Sequence, residues 1–296
     1  MRGCGSDGAG VRVLLTGKNG QVGSELARLL APSCEVTATD RASLDLAHAD
    51  AIRHAVRESH PDVIVNAAAY NAVDRAESEQ DVAFAVNTKA VGVLAEEAKR
   101  LDALLVHFST DYVFDGEKRS PYVETDAPNP LGIYGRSKLE GERAAAASGC
   151  DHLVLRTSWV FGAHGASFVR AILRAAREGK ALRVVSDQVG LPTSAAALAR
   201  AVAQLLTAHA SGWGFPGGLY HASSSGEAVS RSGYARAILA EAGIDAPIDE
   251  VSSDEYAGAA RRPNYSVLDS SKLHRTFGIA LPDWRAELRA AVRAIH

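Results

Sequence analysis

The sequence has few cysteines and no long apolar stretch. Its 296 residues include three cysteines, Cys4, Cys34 and Cys150, without a CxxC pair. This argues against a disulfide framework and a zinc site, so we expect no metal and a cytoplasmic location. The longest apolar runs, such as Asp62-Val-Ile-Val-Asn-Ala-Ala-Ala69, fall far short of the roughly 20 residues that span a bilayer. No transmembrane helix is expected.

An excess of one charge is also missing. The 32 Lys and Arg residues nearly balance the 35 Asp and Glu residues, and the net charge is −3. Nucleic acid and anionic membranes require a clustered basic surface, so neither is expected as a partner. The Gly-rich segment 1–10 lacks the apolar core and the cleavage site of a signal peptide, and we expect a flexible extension there.

What is present is an alternation of strand and helix patterns. Short apolar runs predict strands, and the stretches between them carry apolar residues at helical spacing. The predicted strands are 11–16, 35–39, 62–68, 103–109, 152–160, 182–186 and 219–222, and the predicted helices are 20–30, 50–59, 81–100, 137–147 and 167–178. Because strands alternate with helices and are apolar almost throughout, we predict an α/β fold with a Rossmann-type, doubly wound parallel sheet.

The rhythm changes after about residue 159, where loops lengthen and a turn-rich break occupies 211–218. We predict a dinucleotide-binding domain from 11–161 plus about 181–225, with strand 182–186 and its following helix returning to the main sheet. A smaller, discontinuous mixed α/β lobe for the substrate is predicted from about 162–180 plus 226–296.

A glycine-rich loop follows the first strand. Gly17, Gly20 and Gly23 permit a tight strand-to-helix turn and let a diphosphate approach the helix N-terminus. Asp40 ends the second strand, where an acidic side chain can accept hydrogen bonds from an adenosine ribose and favours NAD. The adjacent Arg41 could pair with a 2′-phosphate, so NADH and NADPH both stay open.

A second cluster lies further along the chain. Tyr134 and Lys138 are four residues apart, which places them on one face of a helix. A phenol has a pKa near 10, and a nearby ammonium group can stabilise its phenolate. Thr110, at the carboxyl end of the fourth strand, can offer a hydroxyl to the same substrate oxygen. YxxxK alone is common by chance, but joined to the glycine loop and to the Ser109-Thr110 strand end it becomes a strong signal of an acid–base site.

The finer motifs extend this interpretation. They are Gly17-Lys-Asn-Gly-Gln-Val-Gly23, Asn66-Ala-Ala-Ala-Tyr70, Ser109-Thr-Asp-Tyr-Val-Phe-Asp-Gly116, Arg156-Thr-Ser-Trp-Val-Phe-Gly162, Asp187-Gln-Val-Gly-Leu-Pro-Thr193, Gly218-Leu-Tyr-His221 and Arg261-Arg-Pro263. With them the chain resembles the dTDP-4-dehydrorhamnose reductase family of the extended short-chain dehydrogenase/reductases, over nearly its whole length from Val11.

The resemblance implies roles for individual residues. The catalytic group would be Thr110, Tyr134 and Lys138. The cofactor, NADPH or NADH, would contact Gly17, Asn19, Gly20, Gln21, Val22, Gly23, Asp40, Arg41, Asp45, Leu46, Ala68, Ala69, Tyr70, Tyr134 and Lys138. The substrate would contact Thr110, Asp111, Trp159 and Arg262. Asn87 would support the active site, whereas His107 is interpreted as a satisfied core residue.

The implied reaction is reduction of the C4 ketone of dTDP-4-dehydro-β-L-rhamnose, a small-molecule sugar nucleotide, by a monomer or homodimer. The product would serve glycans such as O-antigen lipopolysaccharide. A sibling reductase of other stereochemistry and a non-catalytic NADP-binding regulatory subunit stay open. A related 4,6-dehydratase or epimerase is disfavoured, because Tyr112 stands where the dehydratase has a Glu.

Two departures from the family pattern affect the expected contacts. Some relatives dimerise through a metal held by acidic residues; Glu25 matches one such position, but Thr193-Ser-Ala-Ala-Ala197 offers no acid. Where the family often has an aromatic residue before a helix of the substrate lobe, this chain reads Val229-Ser-Arg231-Ser-Gly-Tyr234. Because of the second departure, the residues that contact the sugar can differ from those of the family.

Overall fold

The computed structural model describes residues 10–210, 216–256 and 258–295. Residues 1–9 of the predicted extension and 211–215 of the predicted turn-rich break lie outside these ranges.

Helices and strands alternate through the first two thirds of the chain, as predicted. The helices are α1 (Gln21–Leu30), α2 (Ala49–Ser59), α3 (Val73–Ala76), α4 (Gln80–Phe84), α5 (Ala90–Leu101), α6 (Ile133–Ser148), α7 (Phe168–Arg177), α8 (Ala195–Ala210), α9 (Arg231–Ala242), α10 (Ser271–Phe277) and α11 (Trp284–Ile295). The strands are β1 (Val11–Thr16), β2 (Cys34–Thr39), β3 (Val63–Asn66), β4 (Leu104–Thr110), β5 (His152–Thr157), β6 (Val160–Phe161), β7 (Leu182–Val185), β8 (Val189–Gly190), β9 (Thr193–Ser194), β10 (Gly218–His221), β11 (Val229–Ser230) and β12 (Ile248–Val251).

Among the described residues, the main sheet has six parallel strands in the order β10-β5-β4-β3-β1-β2. Successive side chains of β1 point to opposite faces: Leu15 packs with α1 and α8, and Leu14 packs with α2 and α5. Both faces are therefore covered by helices, and the predicted doubly wound fold is confirmed. The strand order reverses beside β1, which opens a crevice at the carboxyl ends of β1 and β3.

A second core lies beyond the main sheet. Tyr234 and Trp284 from α9 and α11 pack there against Ile172 of α7 and Leu182 of β7. The prediction that strand 182–186 returns to the main sheet is wrong: β7 pairs in parallel with β12, a partner 66 residues away at Leu182↔Ile248. Local periodicity cannot reveal such a distant partner. The helix that follows, α8, does return to the main sheet and packs on α1.

One feature of the packing bears on the predicted domain boundaries. Leu273, Ile279 and Leu281 belong to the core beside the main sheet, although they fall in the segment expected to form the smaller lobe. No helix within the described ranges is both long and apolar enough to cross a membrane.

Three element ends differ from the prediction in the region that carries the site. The predicted helix 81–100 is two helices, α4 and α5, joined by a π-helical turn over Ala85–Lys89. Helix α6 begins at Ile133, earlier than expected, because its first N–H group donates to a distant carboxylate, Glu77 Oε1, at 2.8 Å. The strand predicted over 152–160 ends at Thr157, and Trp159 then adopts a positive φ of 44°.

Candidate active site

The glycine loop forms a close turn between β1 and α1. Gly17 has φ +79°, and a Cβ there would lie 2.8 Å from the backbone nitrogen of Ala68. A Cβ on Gly23 would lie 2.0 Å from the carbonyl oxygen of Gly17. Helix α1 begins after Gly20 without a side-chain cap and without an acidic residue in its first turn. Its free N–H groups and positive end suit an anionic diphosphate.

Asp40 lies at the end of β2, beside this loop. Its carboxylate accepts hydrogen bonds from the Ser43 N–H at 3.0 Å and from Asn19 Nδ2 at 3.0 Å. These bonds, with Lys18 Nζ 3.5 Å away, lower the pKa of Asp40 to about 2. The carboxylate is ionised and acceptor-only, as a ribose diol requires.

A small cavity of about 130 Å³ opens next to Asp40. Its lining includes eight of the residues predicted to bind the cofactor: Gly17, Asp40, Arg41, Asp45, Leu46, Ala68, Ala69 and Tyr70. The side chain of Arg41 is mostly exposed, and its Nε lies 3.8 Å from Asp45 Oδ2. This cavity has the apolar and acidic lining that an adenosine would need.

A second cavity, of about 380 Å³, lies at the carboxyl ends of β1, β4 and β5. It brings the glycine loop and the predicted reactive residues together, and its lining includes Asn19, Gly20, Gln21, Val22, Thr110, Asp111, Tyr134, Lys138 and Trp159. Gly23 does not line it and instead permits the turn. The spacing argument for Tyr134 and Lys138 is consistent with this placement on α6.

Tyr134 is partly buried and has polar groups beside it. Burial raises its pKa, the neighbouring Asp111 and Tyr112 raise it further, and the Thr110 hydroxyl opposes the rise. The ring of Tyr112 contacts it edge-on, with centroids 5.9 Å apart. Its phenol is therefore protonated at neutral pH, as a proton donor must be.

Lys138 points to the sheet rather than to Tyr134. Its Nζ donates to the Phe108 carbonyl at 2.5 Å and lies 3.2 Å from Nε2 of His107. Burial disfavours its ammonium form and lowers the pKa of Lys138 to about 8, an effect that Glu142 opposes. The expected stabilisation of a Tyr134 phenolate is therefore not among the contacts in this structure.

The proton on His107 is assigned through Asn66. Asn66 Oδ1 accepts from the Ala68 N–H at 3.3 Å and from the Thr16 hydroxyl at 2.7 Å, so Nδ2 must face His107. Nδ2 donates to Nδ1 of His107 at 3.1 Å, which leaves the imidazole proton on Nε2. That N–H faces the amine of Lys138 at 3.2 Å. His107 is a satisfied core residue, as predicted, but one that contacts the active site.

Two sets of buried hydrogen bonds, around Glu142 and around Asn87, connect α6 to neighbouring elements. Glu142 accepts two hydrogen bonds from Arg156 at 2.9 and 2.7 Å, and Ser109 donates to it as well. The Glu142 and Arg156 side chains are 8% and 3% exposed, so this is a buried ion pair one helical turn beyond Lys138. Asn87 bonds both the N–H and the carbonyl of Tyr70 and the Ser137 hydroxyl, in line with its expected supporting role.

The predicted substrate residues occupy two adjoining cavities. Asp111 is 2% exposed, and burial raises its pKa to about 6. Trp159 lines the cavity that contains Tyr134. Arg262 lines a neighbouring cavity of about 560 Å³ and forms an ion pair with Asp74 at 2.6 Å. The two cavities have lining residues in common, namely Asn71, Val73, Tyr112, Ala166 and Arg231.

Sequence reasoning missed these shared residues. Tyr112 follows Asp111 in a quoted motif, and Arg231 belongs to the stretch that departs from the family pattern, but spacing alone could not place either side chain in the cavities. Across residues 10–210, 216–256 and 258–295, no group of three or more His, Cys, Asp or Glu side chains is arranged to hold a metal. Glu25 instead pairs with Arg28 at 2.9 Å.

Comparison with known proteins shows that this chain is similar to reductases. The model of a family described as RmlD substrate binding domain matches residues 11–296. A dTDP-4-dehydrorhamnose reductase of Burkholderia thailandensis is 46% identical over 295 residues, 96% of this chain and 98% of that protein. One from Sinorhizobium fredii is 43% identical over 290 residues, with coverage of 96% and 98%. The crystal structure of the Bacillus anthracis reductase in complex with NADP has a TM-score of 0.90 at 32% identity and covers 95% of this chain and 98% of its own.

Proposed function

The chain belongs to the RmlD substrate binding domain family, and from this we propose that it reduces the C4 ketone of dTDP-4-dehydro-β-L-rhamnose to dTDP-β-L-rhamnose with NADPH or NADH. The observation that carries the proposal is the one cavity in which Thr110, Tyr134 and Lys138 meet the glycine loop. Relatives at 46% and 43% identity are reductases of this name, and a solved neighbour contains NADP.

The residues present fit a dinucleotide. A Cβ at Gly17 or Gly23 would clash with the protein backbone, so glycine permits the close turn after which the first N–H groups of α1 are free for a diphosphate. Asp40 is placed to accept from ribose hydroxyls, and the cavity beside Leu46 and Tyr70 suits the adenine. Bound NADPH or NADH supplies a hydride for the carbonyl carbon.

The chain's own groups manage the proton. The Thr110 hydroxyl donates to the ketone oxygen, and the protonated Tyr134 gives its proton to that oxygen as negative charge develops. We assign to Lys138 the orientation of the nicotinamide ribose and the stabilisation of the phenolate that Tyr134 becomes, which requires its Nζ to turn away from the Phe108 carbonyl. Thr110 and Lys138 are buried and Tyr134 is partly buried, so the low polarity around them strengthens these interactions.

Replacing the proton donor tests the assignment. In Tyr134→Phe we expect kcat to fall by about 10²- to 10⁴-fold, while the dissociation constant for NADPH stays within about twofold of the wild type, since the ring and its packing persist. Steady-state kinetics and NADPH fluorescence titration measure the two quantities.

Tyr220→Phe is the matched control. Tyr220 is a buried tyrosine on β10 whose hydroxyl donates to Pro216 at 2.7 Å, away from both cavities. Near-normal turnover by Tyr134→Phe would refute the catalytic assignment.

The substrate itself is tested by incubating the protein with dTDP-4-dehydro-β-L-rhamnose and each nucleotide, following absorbance at the reduced-nicotinamide band, and identifying the sugar by NMR. Absence of oxidation with both nucleotides would refute the reductase proposal. A product of other stereochemistry would assign the chain to a sibling reductase. A cytoplasmic location and a monomeric or homodimeric state are part of the same proposal.

A further inference from the structure

Arg231 lies in the stretch Val229–Tyr234, which departs from the family pattern, and its side chain is stacked on aromatic rings. Its Cζ lies 3.5 Å from the centre of the Trp159 ring and 5.5 Å from that of Phe168. The side chain is partly buried and lines both the cavity with Tyr134 and the neighbouring one with Arg262. Its planar guanidinium is thus fixed by stacking at the junction of the two cavities.

The backbone holds Arg231 in this place. Its N–H donates to the Gln188 carbonyl at 3.0 Å, and the preceding strand β11 pairs with β8 at Val229↔Gly190. A Cβ on Gly190 would lie 2.6 Å from the Trp159 ring, so the indole packs directly on β8. Arg231 and Trp159 are therefore positioned by the same short strand.

The charge of Arg231 is not compensated by an ion pair. Among the described residues, no carboxylate lies within ion-pair distance of it, whereas the other two arginines of the neighbouring cavity are paired. Arg262 lies 2.6 Å from Asp74, and Arg183 lies 3.4 Å from Asp249. The Asp111 carboxylate interacts with Arg231 electrostatically but bonds to Thr110.

We propose that Arg231 binds the diphosphate of the sugar nucleotide. The guanidinium keeps its N–H donors available because stacking occupies only its face. A diphosphate at the junction would lie between the cavity that contains Tyr134 and the neighbouring one, with the sugar on the Tyr134 side. This inference rests on the proposed function, since it takes a nucleoside diphosphate sugar as the ligand.

Calorimetric titration of the full chain with dTDP tests the inference without turnover. In Arg231→Gln we expect the dissociation constant for dTDP to rise by about 10- to 100-fold, the range that loss of a hydrogen bond to a charged group produces. Arg231→Lys should lose less, because the charge remains, and Arg231→Trp should bind as weakly as Arg231→Gln. Raising the salt concentration should weaken dTDP binding by the wild type more than by Arg231→Gln.

Arg236→Gln is the matched control, since Arg236 is an exposed arginine on the same helix and pairs with Glu250. It should bind dTDP as the wild type does, and all variants should bind NADPH normally. A wild-type dissociation constant in Arg231→Gln, or full recovery in Arg231→Trp, would overturn the inference while leaving the proposed function intact. Failure of the wild type to bind dTDP would instead overturn the proposed function, and the inference with it.

Discussion

Replacement of Lys138 by Met should abolish activity and yet stabilise the fold at pH 7. Lys138 is 2% exposed, and its pKa is lowered from 10.5 to about 8 because burial disfavours the ammonium. Below pH 8 the lysine is charged in both the folded and the unfolded chain, so the folded state bears the full desolvation cost. A pKa lowered from 10.5 to about 8 corresponds to a loss of about 3 kcal/mol in the free energy of unfolding at pH 7.

Methionine removes this cost at similar volume but also removes the donor to Phe108, a loss of about 1.5 kcal/mol. The variant should therefore be more stable than the wild type by about 1–2 kcal/mol at pH 7. Between pH 8 and 10.5 the unfolded chain binds more protons than the folded one, so the wild type gains stability as pH rises. The advantage of the variant should fall by about 2.5 kcal/mol between pH 7 and pH 10.

The other titratable groups around Lys138 should not change the pH dependence of this stability difference. Burial keeps His107 neutral by lowering its pKa, and Glu142 on the same helix is paired with Arg156 of β5. Urea denaturation of the two proteins at pH 7 and pH 10 gives the difference in free energy of unfolding, with the exposed Lys180→Met as a control. A Lys138→Met variant that is less stable at pH 7 by an amount that does not change with pH would refute the reasoning.

The remaining predictions concern the support of α6 and the choice of cofactor. Glu142→Gln leaves Arg156 buried without its partner, so denaturation at pH 7 should show a loss of about 3–5 kcal/mol; a loss under 1 kcal/mol would contradict the buried pair. Asp40→Ser removes a carboxylate that would repel the 2′-phosphate of NADPH, and it frees Lys18 from its ion pair with Asp40. The ratio of kcat/KM for NADPH to that for NADH should therefore rise by about tenfold. An unchanged ratio would show that Asp40 does not face the ribose.

Much of the main domain could be predicted because its signals are local. The first five residues of β4, Leu104–Phe108, are apolar except for His107, and the segments between strands carry apolar residues at helical spacing. Burial on both faces of a parallel sheet could therefore be predicted directly. The i, i+4 spacing of Tyr134 and Lys138 likewise needs no knowledge of the rest of the chain.

What could not be predicted depends on partners far away in the sequence. The pairing of β7 with β12, and the meeting of Arg231 with Trp159, are set by contacts between segments more than sixty residues apart. Arg262 was expected beside the substrate, and only the structure shows that Asp74 already pairs with it. The direction of the Lys138 side chain could not be predicted either, because its partner His107 lies on a different element. In the sequence, His107 is only an isolated polar residue in an apolar strand.

The cap that Glu77 provides to α6 has a consequence for the order in which the molecule assembles. The first N–H of the helix that carries Tyr134 donates to a carboxylate 56 residues earlier in the chain, not to a neighbouring side chain. Closing a loop of that length carries an entropic cost that nearby sequence cannot offset. The first turn of α6, which carries Tyr134, therefore has this cap only when the segment with Glu77 is docked, so the order of the reactive tyrosine depends on a distant part of the chain.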